Sequence, residues 1–445
     1  MPQTSNYGKI ELVKNTKDNF QKLILPNGLT VLLYKMEDVR SVSSTLFVRT
    51  GAVFEKKKER GISHLVEHSA FIGTQKYPTS QIISNFAENM GISYGGATSK
   101  DNTCYTIKAP YMNFDGALEL LSQFLFAPLL EEKQILKEKD VILSEYNDFW
   151  DDPLRRFEHE VWRKRFSSEE HPYSWRPMGK PETIKNLDLK SVLDWRDKYY
   201  NPENMILSIA GNFDDLQLRD SINDLFGRVP YKLRVEEPKF KTGDYSGFTM
   251  YHQKDERSQI TFNITFPVFG WREVNRIERI RLKLLSFVLG ASRSSRLYSR
   301  LREKERFLYK MFCEQRLLSY MGASVIGGST PIEKLTRTFI AIKEEIDILL
   351  KTGINDRELD LAKNFYTAQA LLQFDNPAEI ANYFGNEAFS DEEIWFPERR
   401  IEEIKKIKVI ELNDLAKRIF DFSKINIGLL GNIPPDVVEE IKKLF

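Results

Sequence analysis

Cysteine and histidine are scarce in this chain. Only Cys104 and Cys313 occur in 445 residues. That excludes a disulfide framework and points to two reduced thiols in a cytoplasmic setting. No apolar run approaches the ~18 residues that would cross a bilayer, and residues 1–20 are polar, without the apolar core of a secretory signal. The expectation is a cytoplasmic protein with no membrane partner. A surplus of charge is missing too: 65 basic residues against 64 acidic ones leave a net +1. That removes the electrostatic basis for a nucleic-acid or anionic-lipid partner. What remains is an ordinary globular composition, 41% hydrophobic and 29% charged, long enough for several domains.

Two of the five histidines fall in one pentapeptide, His64-Leu-Val-Glu-His68. On a helix, positions i and i+4 share a face. His64 and His68 then offer two ring nitrogens to one metal ion, with Glu67 beside them as a base for a water molecule. This H-x-x-E-H order is the inverzincin pattern. Two imidazoles leave a catalytic metal site incomplete, because three protein ligands are usual. His159 lies in a basic stretch, His171 in a Pro-rich loop and His252 far along the chain, so a carboxylate is the better source. A helix expected over 131–150 carries Glu138 and Glu145 on one face, one heptad apart. The apolar run Val141, Ile142, Leu143 between them makes a buried carboxylate there costly unless it is paired or metal-bound.

Elsewhere, alternation and turn residues predict strands on either side of Pro26-Asn27-Gly28, at 43–49, 93–99, 103–109 and 205–210, with helices at 62–71, 80–90, 113–126, 191–200 and 214–226. Residues 229–247 lack periodicity and read as a linker. Beyond it come strands at 248–253, 259–267, 308–317, 322–328 and 425–430, helices over 275–289 and 294–305, four or five helices filling 331–420, and a short helix at the C-terminus. The stretch 204–213 resembles 425–433: an apolar strand ending in Gly-Asn, followed by an acidic helix start. The expected fold is α+β, in two similar halves related by internal duplication. Each half is a mostly antiparallel sheet covered by helices. The division is 1–228, linker 229–247, and 248–445.

Taken together, Gly61-Ile-Ser-His-Leu-Val-Glu-His-Ser-Ala-Phe-Ile-Gly-Thr74, Glu138-Lys-Asp-Val-Ile-Leu-Ser-Glu145, His171-Pro-Tyr173 and Tyr200-Asn-Pro-Glu-Asn-Met205 resemble the pitrilysin/insulinase family of zinc metallopeptidases. The nearest branch is the short-chain one similar to mitochondrial processing peptidase. Ser295-Arg-Leu-Tyr-Ser-Arg-Leu-Arg-Glu303 and Tyr309 extend the resemblance into the second half. It implies one zinc ion per chain, held by His64, His68 and Glu145, with Glu67 as general base and Glu138 behind a ligand. It implies that Arg302 and Tyr309 reach the substrate, Tyr309 donating to the developing oxyanion.

The strand Ser93, Tyr94, Gly95, Gly96, Ala97, Thr98 corresponds to the one on which the family pairs substrate as an added β-strand. Here Gly95 replaces the family's Asn and Ala97 its aromatic residue, a departure that bears on substrate preference. The implied activity is an endopeptidase acting on peptides or unfolded polypeptide segments, enclosed between the two bowls of a clamshell. One chain of this length supplies one bowl, so a homodimer or a heterodimer with a related chain is expected, with Arg302 and Tyr309 acting in trans. The competing expectation is a non-catalytic peptide-binding or scaffolding subunit of a heterodimeric peptidase.

Overall fold

The computed structural model describes residues 11–12, 19–240, 245–390 and 393–445. Its contacts divide into two compact units.

The first unit is built on a seven-stranded sheet of β1 (Glu11–Leu12), β2 (Phe20–Ile24), β3 (Thr30–Lys35), β4 (Ser41–Val48), β5 (Ser93–Thr98), β6 (Thr103–Pro110) and β7 (Met205–Gly211), in the order β1-β2-β3-β7-β4-β6-β5. β7 lies between β3 and β4, and every one of its residues is buried. That burial is why Met-Ile-Leu-Ser-Ile-Ala reads as a continuous apolar run rather than an alternating one. β5 stands at the opposite edge and pairs with β6 alone among the described strands. Helices α1 (Ile62–Ser69), α2 (Ser80–Met90), α3 (Phe114–Phe126) and the start of α4 (Glu132–Asp151) complete the layer that bears on the site. Leu65 and Val66 of α1 and Ile135 and Ile142 of α4 are fully buried in one core with the sheet.

The second unit is a five-stranded sheet of β8 (Thr249–Gln253), β9 (Ile260–Val268), β10 (Lys310–Leu317), β11 (Gly322–Thr330) and β12 (Asn426–Leu430), in the order β10-β11-β9-β12-β8. Read from β8, this repeats the order β3-β7-β4-β6-β5 of the first sheet. Each sheet has one parallel pair, β3 with β7 and β8 with β12; the other pairs are antiparallel. The resembling stretches 204–213 and 425–433 are the equivalent central strands. Each ends on a glycine with positive φ, Gly211 at +137° and Gly431 at +147°, a backbone region that disfavours any side chain. The duplication is therefore real at the level of topology.

The division at a single linker is incomplete. The chain passes from the first unit to the second at Asn147/Asp148, Pro238/Lys239 and Trp395/Phe396, and back at Ser174/Trp175 and Leu371/Leu372. Residues 148–174, with helix α5 (Pro153–Arg163), belong to the second unit, and the helix Pro377–Ser390 belongs to the first. Glycines make both placements possible. A Cβ on Gly428 of β12 would come within 2.2 Å of Val161 of α5, and one on Gly385 would come within 2.2 Å of the Phe47 ring of β4. The expected linker, of which 241–244 fall outside the described residues, contains only one of the five passages. Two expected helices are also shorter. The stretch 294–305 has regular α geometry only over Arg296–Tyr298, and 275–289 only over Arg276–Ser286. Each continues as a wider π turn.

Candidate metal centre and edge strand

Helix α1 is short, and its sequence decides which way it faces. Leu65 and Val66 point into the core, which leaves His64 and His68 together on the outer face. Their Nε2 atoms stand 3.2 Å apart, with ring centroids 4.4 Å apart. Helix α4 delivers the two glutamates. Glu145 Oε2 is 3.9 Å from His64 Nε2 and 3.7 Å from His68 Nε2. Glu138 Oε2 is on the other side of the second ring, 3.3 Å from His68 Nδ1. The two carboxylates thus have different tasks. Glu145 joins the two Nε2 atoms, and Glu138 takes the remaining nitrogen of His68 and fixes which way that ring's lone pair points.

Among the described residues, His64, His68 and Glu145 are the one group of metal-binding side chains whose donor atoms converge within 4.8 Å. Burial of Glu145 is not what brings it there: its side chain is 43% exposed, and Val141 is exposed as well. Of the apolar run, Ile142 alone is fully buried and holds the helix down.

Electrostatics treat the two rings differently. Burial, His68 and Arg176 lower the His64 pKa to about 3, so the ring is neutral and keeps a lone pair. Burial also pushes His68 down, but the hydrogen bond to Glu138 and the charges of Glu145 and Glu67 outweigh it and leave its pKa raised.

Glu67 is 6% exposed. Burial raises its pKa, while the Thr98 hydroxyl and His68 pull it down. Thr98 Oγ1 donates to Glu67 Oε2 at 2.6 Å. The face of β5 that meets α1 is set by strand alternation. Tyr94 stacks on Phe71, Gly96 lies against Glu67, and Thr98 bonds it. A Cβ on Gly96 would sit 2.7 Å from Glu67 Oε1, so its absence leaves room for the carboxylate. Ser93, Gly95 and Ala97 alternate to the other face. At Gly95 a Cβ would meet only Thr106 Oγ1, at 3.9 Å, so the missing side chain leaves open space rather than a filled one.

Arg302 and Tyr309 belong to the second unit. The Arg302 guanidinium donates to the Tyr309 carbonyl, and the Tyr309 side chain is exposed, just ahead of edge strand β10. His159, His171 and His252 are also in that unit and are engaged otherwise: His159 edges against Trp150, His171 stacks on Phe166, and His252 Nε2 meets the Gly431 carbonyl. Sequence reasoning singled out neither the Thr98 hydroxyl nor Glu55, whose carboxylate is buried behind α1. A signal for Glu55 did exist: α1 begins at Gly61 with no capping side chain of its own, so its free amides needed an acceptor from elsewhere.

Two imidazoles one turn apart and a carboxylate from α4 bring three donor atoms together, with the buried Glu67 beside them, on a duplicated α+β scaffold. By comparison with known proteins, the chain belongs to the insulinase family, peptidase family M16. Residues 30–172 match that family's model, and residues 186–366 match the model described as the M16 inactive domain. An uncharacterised zinc protease of Rickettsia felis is 31% identical over 91% of this chain and 96% of its own length. One of Bacillus subtilis is 27% identical over 92% and 98%. Among solved structures, a protease from Helicobacter pylori superposes with a TM-score of 0.82 at 22% identity, covering 93% of this chain and 99% of that one. The periplasmic protease PqqL of Escherichia coli superposes with a TM-score of 0.79 at 17% identity, over 97% of this chain but 50% of that one. Among the described residues no helix is long and apolar enough to cross a membrane.

Proposed function

We propose that this chain is a zinc-dependent endopeptidase acting on peptides or unfolded polypeptide segments. The observation that carries the reading is the convergence of His64 Nε2, His68 Nε2 and Glu145 Oε2, 3.2, 3.9 and 3.7 Å from one another. Ligands about 2.05 Å from a tetrahedral zinc are about 3.3 Å apart, so this donor set fits that ion with small adjustments. His64, His68 and Glu145 would hold it, and Glu138 would orient His68. The zinc ion, when bound, supplies the Lewis acidity that brings water toward neutral pKa and polarises a carbonyl.

The chain's own residues do the rest. Glu67 takes a proton from the attacking water and passes it to the leaving amine. Its burial favours that role, since a raised pKa makes it the better base. Thr98 occupies one carboxylate oxygen and leaves the other for the proton. The outer edge of β5, unpaired among the described strands, offers main-chain donors and acceptors to an extended substrate, a mode that aligns any sequence. The space at Gly95 then favours tolerance over selection for a particular side chain.

Tyr309 and Arg302 fit the role of oxyanion donor and substrate clamp supplied by a second copy. The chain corresponds to half of PqqL in length, which suits a two-chain enclosure. Cleavage of a quenched fluorescent peptide, with zinc content measured on the same sample, tests the proposal. The wild-type chain is expected to bind one zinc and cleave, and Glu67→Gln to bind zinc and not cleave. Equal cleavage by both overturns it. Mixing Glu67→Gln with Arg302→Ala tests the pairing: recovered activity supports action in trans, and none refutes it.

A further inference from the structure

Helix α1 has an unusual start. It is eight residues long, begins after Gly61 in the left-handed region (φ +96°), and its N-cap provides no side-chain acceptor. A helix this short is unstable alone, and its first amides must find partners. Two of these partners come from one residue outside the helix. Glu55 Oε2 accepts from the Gly61 amide at 2.9 Å, and Glu55 Oε1 accepts from the Ser63 amide at 3.0 Å. Glu55 is 4% exposed. A carboxylate there also meets the positive end of the helix dipole.

The segment that carries Glu55 has a second attachment. The amides of Ala52 and Val53 donate to the carbonyls of Ser99 and Lys100, at 3.1 and 3.0 Å, at the tip of the β5–β6 hairpin. Gly51 permits this approach, since a Cβ there would lie 2.7 Å from both carbonyl oxygens. One short segment therefore grips the start of the helix that bears His64, His68 and Glu67. It also grips the tip of the hairpin that bears Thr98.

We infer that Glu55 is a positioning residue for the metal centre and the general base: by holding the Gly61 and Ser63 amides at the start of α1, it sets the helix at the height at which the imidazoles meet Glu145 and Glu67 meets Thr98. This rests on the zinc peptidase reading above but is tested by metal affinity, so the two fail separately. Glu55→Gln keeps the shape and replaces one acceptor oxygen by an NH2 group, which faces an amide donor and repels it. Glu55→Asp keeps the charge and withdraws it by one methylene.

The measurement is zinc competition against a chromophoric chelator at pH 8.5, with the visible spectrum of the cobalt-substituted proteins. Glu55→Gln is expected to weaken zinc at least 10-fold and to alter the cobalt spectrum, with Glu55→Asp intermediate. A residue that merely supported folding would lower the melting temperature and leave the affinity and spectrum of the folded protein unchanged, and that result overturns the inference. If Glu55→Gln does not fold, Glu55→Asp carries the test, and wild-type affinity in that variant overturns it. Zinc binding by the wild type without peptide cleavage would refute the peptidase reading and leave this inference to be decided by the affinities. A wild type that binds no zinc would refute both.

Discussion

Exchanging the two glutamates of α4 one at a time asks the sharpest question of the site. Both lie one heptad apart on one helix face, yet they meet different nitrogens. Glu145 approaches His64 Nε2 and His68 Nε2, 3.9 and 3.7 Å away, while Glu138 is 3.3 Å from His68 Nδ1. If Nε2 is the ligating atom of both rings, Glu145 completes the donor set and Glu138 only fixes a tautomer and an orientation. Removing such an outer partner costs about 10–100-fold in metal affinity, or about 1.4–2.7 kcal/mol. Removing one of three direct ligands leaves two, and the loss should exceed about 100-fold. The assay is chelator competition on Glu138→Gln and Glu145→Gln, checked by the rise in melting temperature on adding zinc. That rise should shrink in step with affinity, because the ion stabilises only the state that binds it. Glu145→Gln is expected to lose most of it and Glu138→Gln to keep a reduced one. Equal losses, or a greater loss in Glu138→Gln, would refute the assignment of roles.

Two further outcomes are expected. Thr98→Val removes the 2.6 Å hydrogen bond to Glu67 without changing the side chain's shape. A bond to a charged group is worth about 1.5–3 kcal/mol, so kcat should fall about 10-fold or more with KM little changed, and Thr98→Ser should restore it; unchanged kcat in Thr98→Val, measured by steady-state peptide cleavage, would rule out the positioning role. Burial and the nearby charge of Glu67 raise the Cys104 thiol to about 11, and burial with Glu314 raises Cys313 to about 12. A raised thiol pKa leaves less thiolate at pH 8, about 100-fold less at Cys104 than at an ordinary exposed thiol. Alkylation of the folded protein should therefore be slow at pH 8, climb only toward pH 11, and become fast on denaturation. Rapid labelling of either thiol in the native protein at pH 8 would contradict that thiol's shift.

Much of this protein is legible in its local sequence. A helical face repeats every turn whatever surrounds it, so His64 with His68, and Glu138 with Glu145, could be paired on their faces from spacing alone. Central strands such as β7 betray themselves because burial on both sides demands an unbroken apolar run. The Gly-Asn endings of β7 and β12 reported the duplication because both glycines occupy a backbone region that side chains disfavour. Tertiary structure decided the rest, for a common reason: contacts between distant segments depend on how elements cross, and no periodicity encodes that. His68 and Glu138 are 70 residues apart, and only the crossing of α1 and α4 assigns Glu138 to Nδ1 and Glu145 to the Nε2 pair. The Thr98 hydroxyl finds Glu67 because β5 lies at the sheet edge beside α1. Glu55 looks like one more charge in an acidic and basic stretch until the fold turns it beneath an uncapped helix. The exchange of residues 148–174 and 372–395 between the two units is equally invisible in the chain, since the space left by Gly428 and Gly385 matters only for what approaches them.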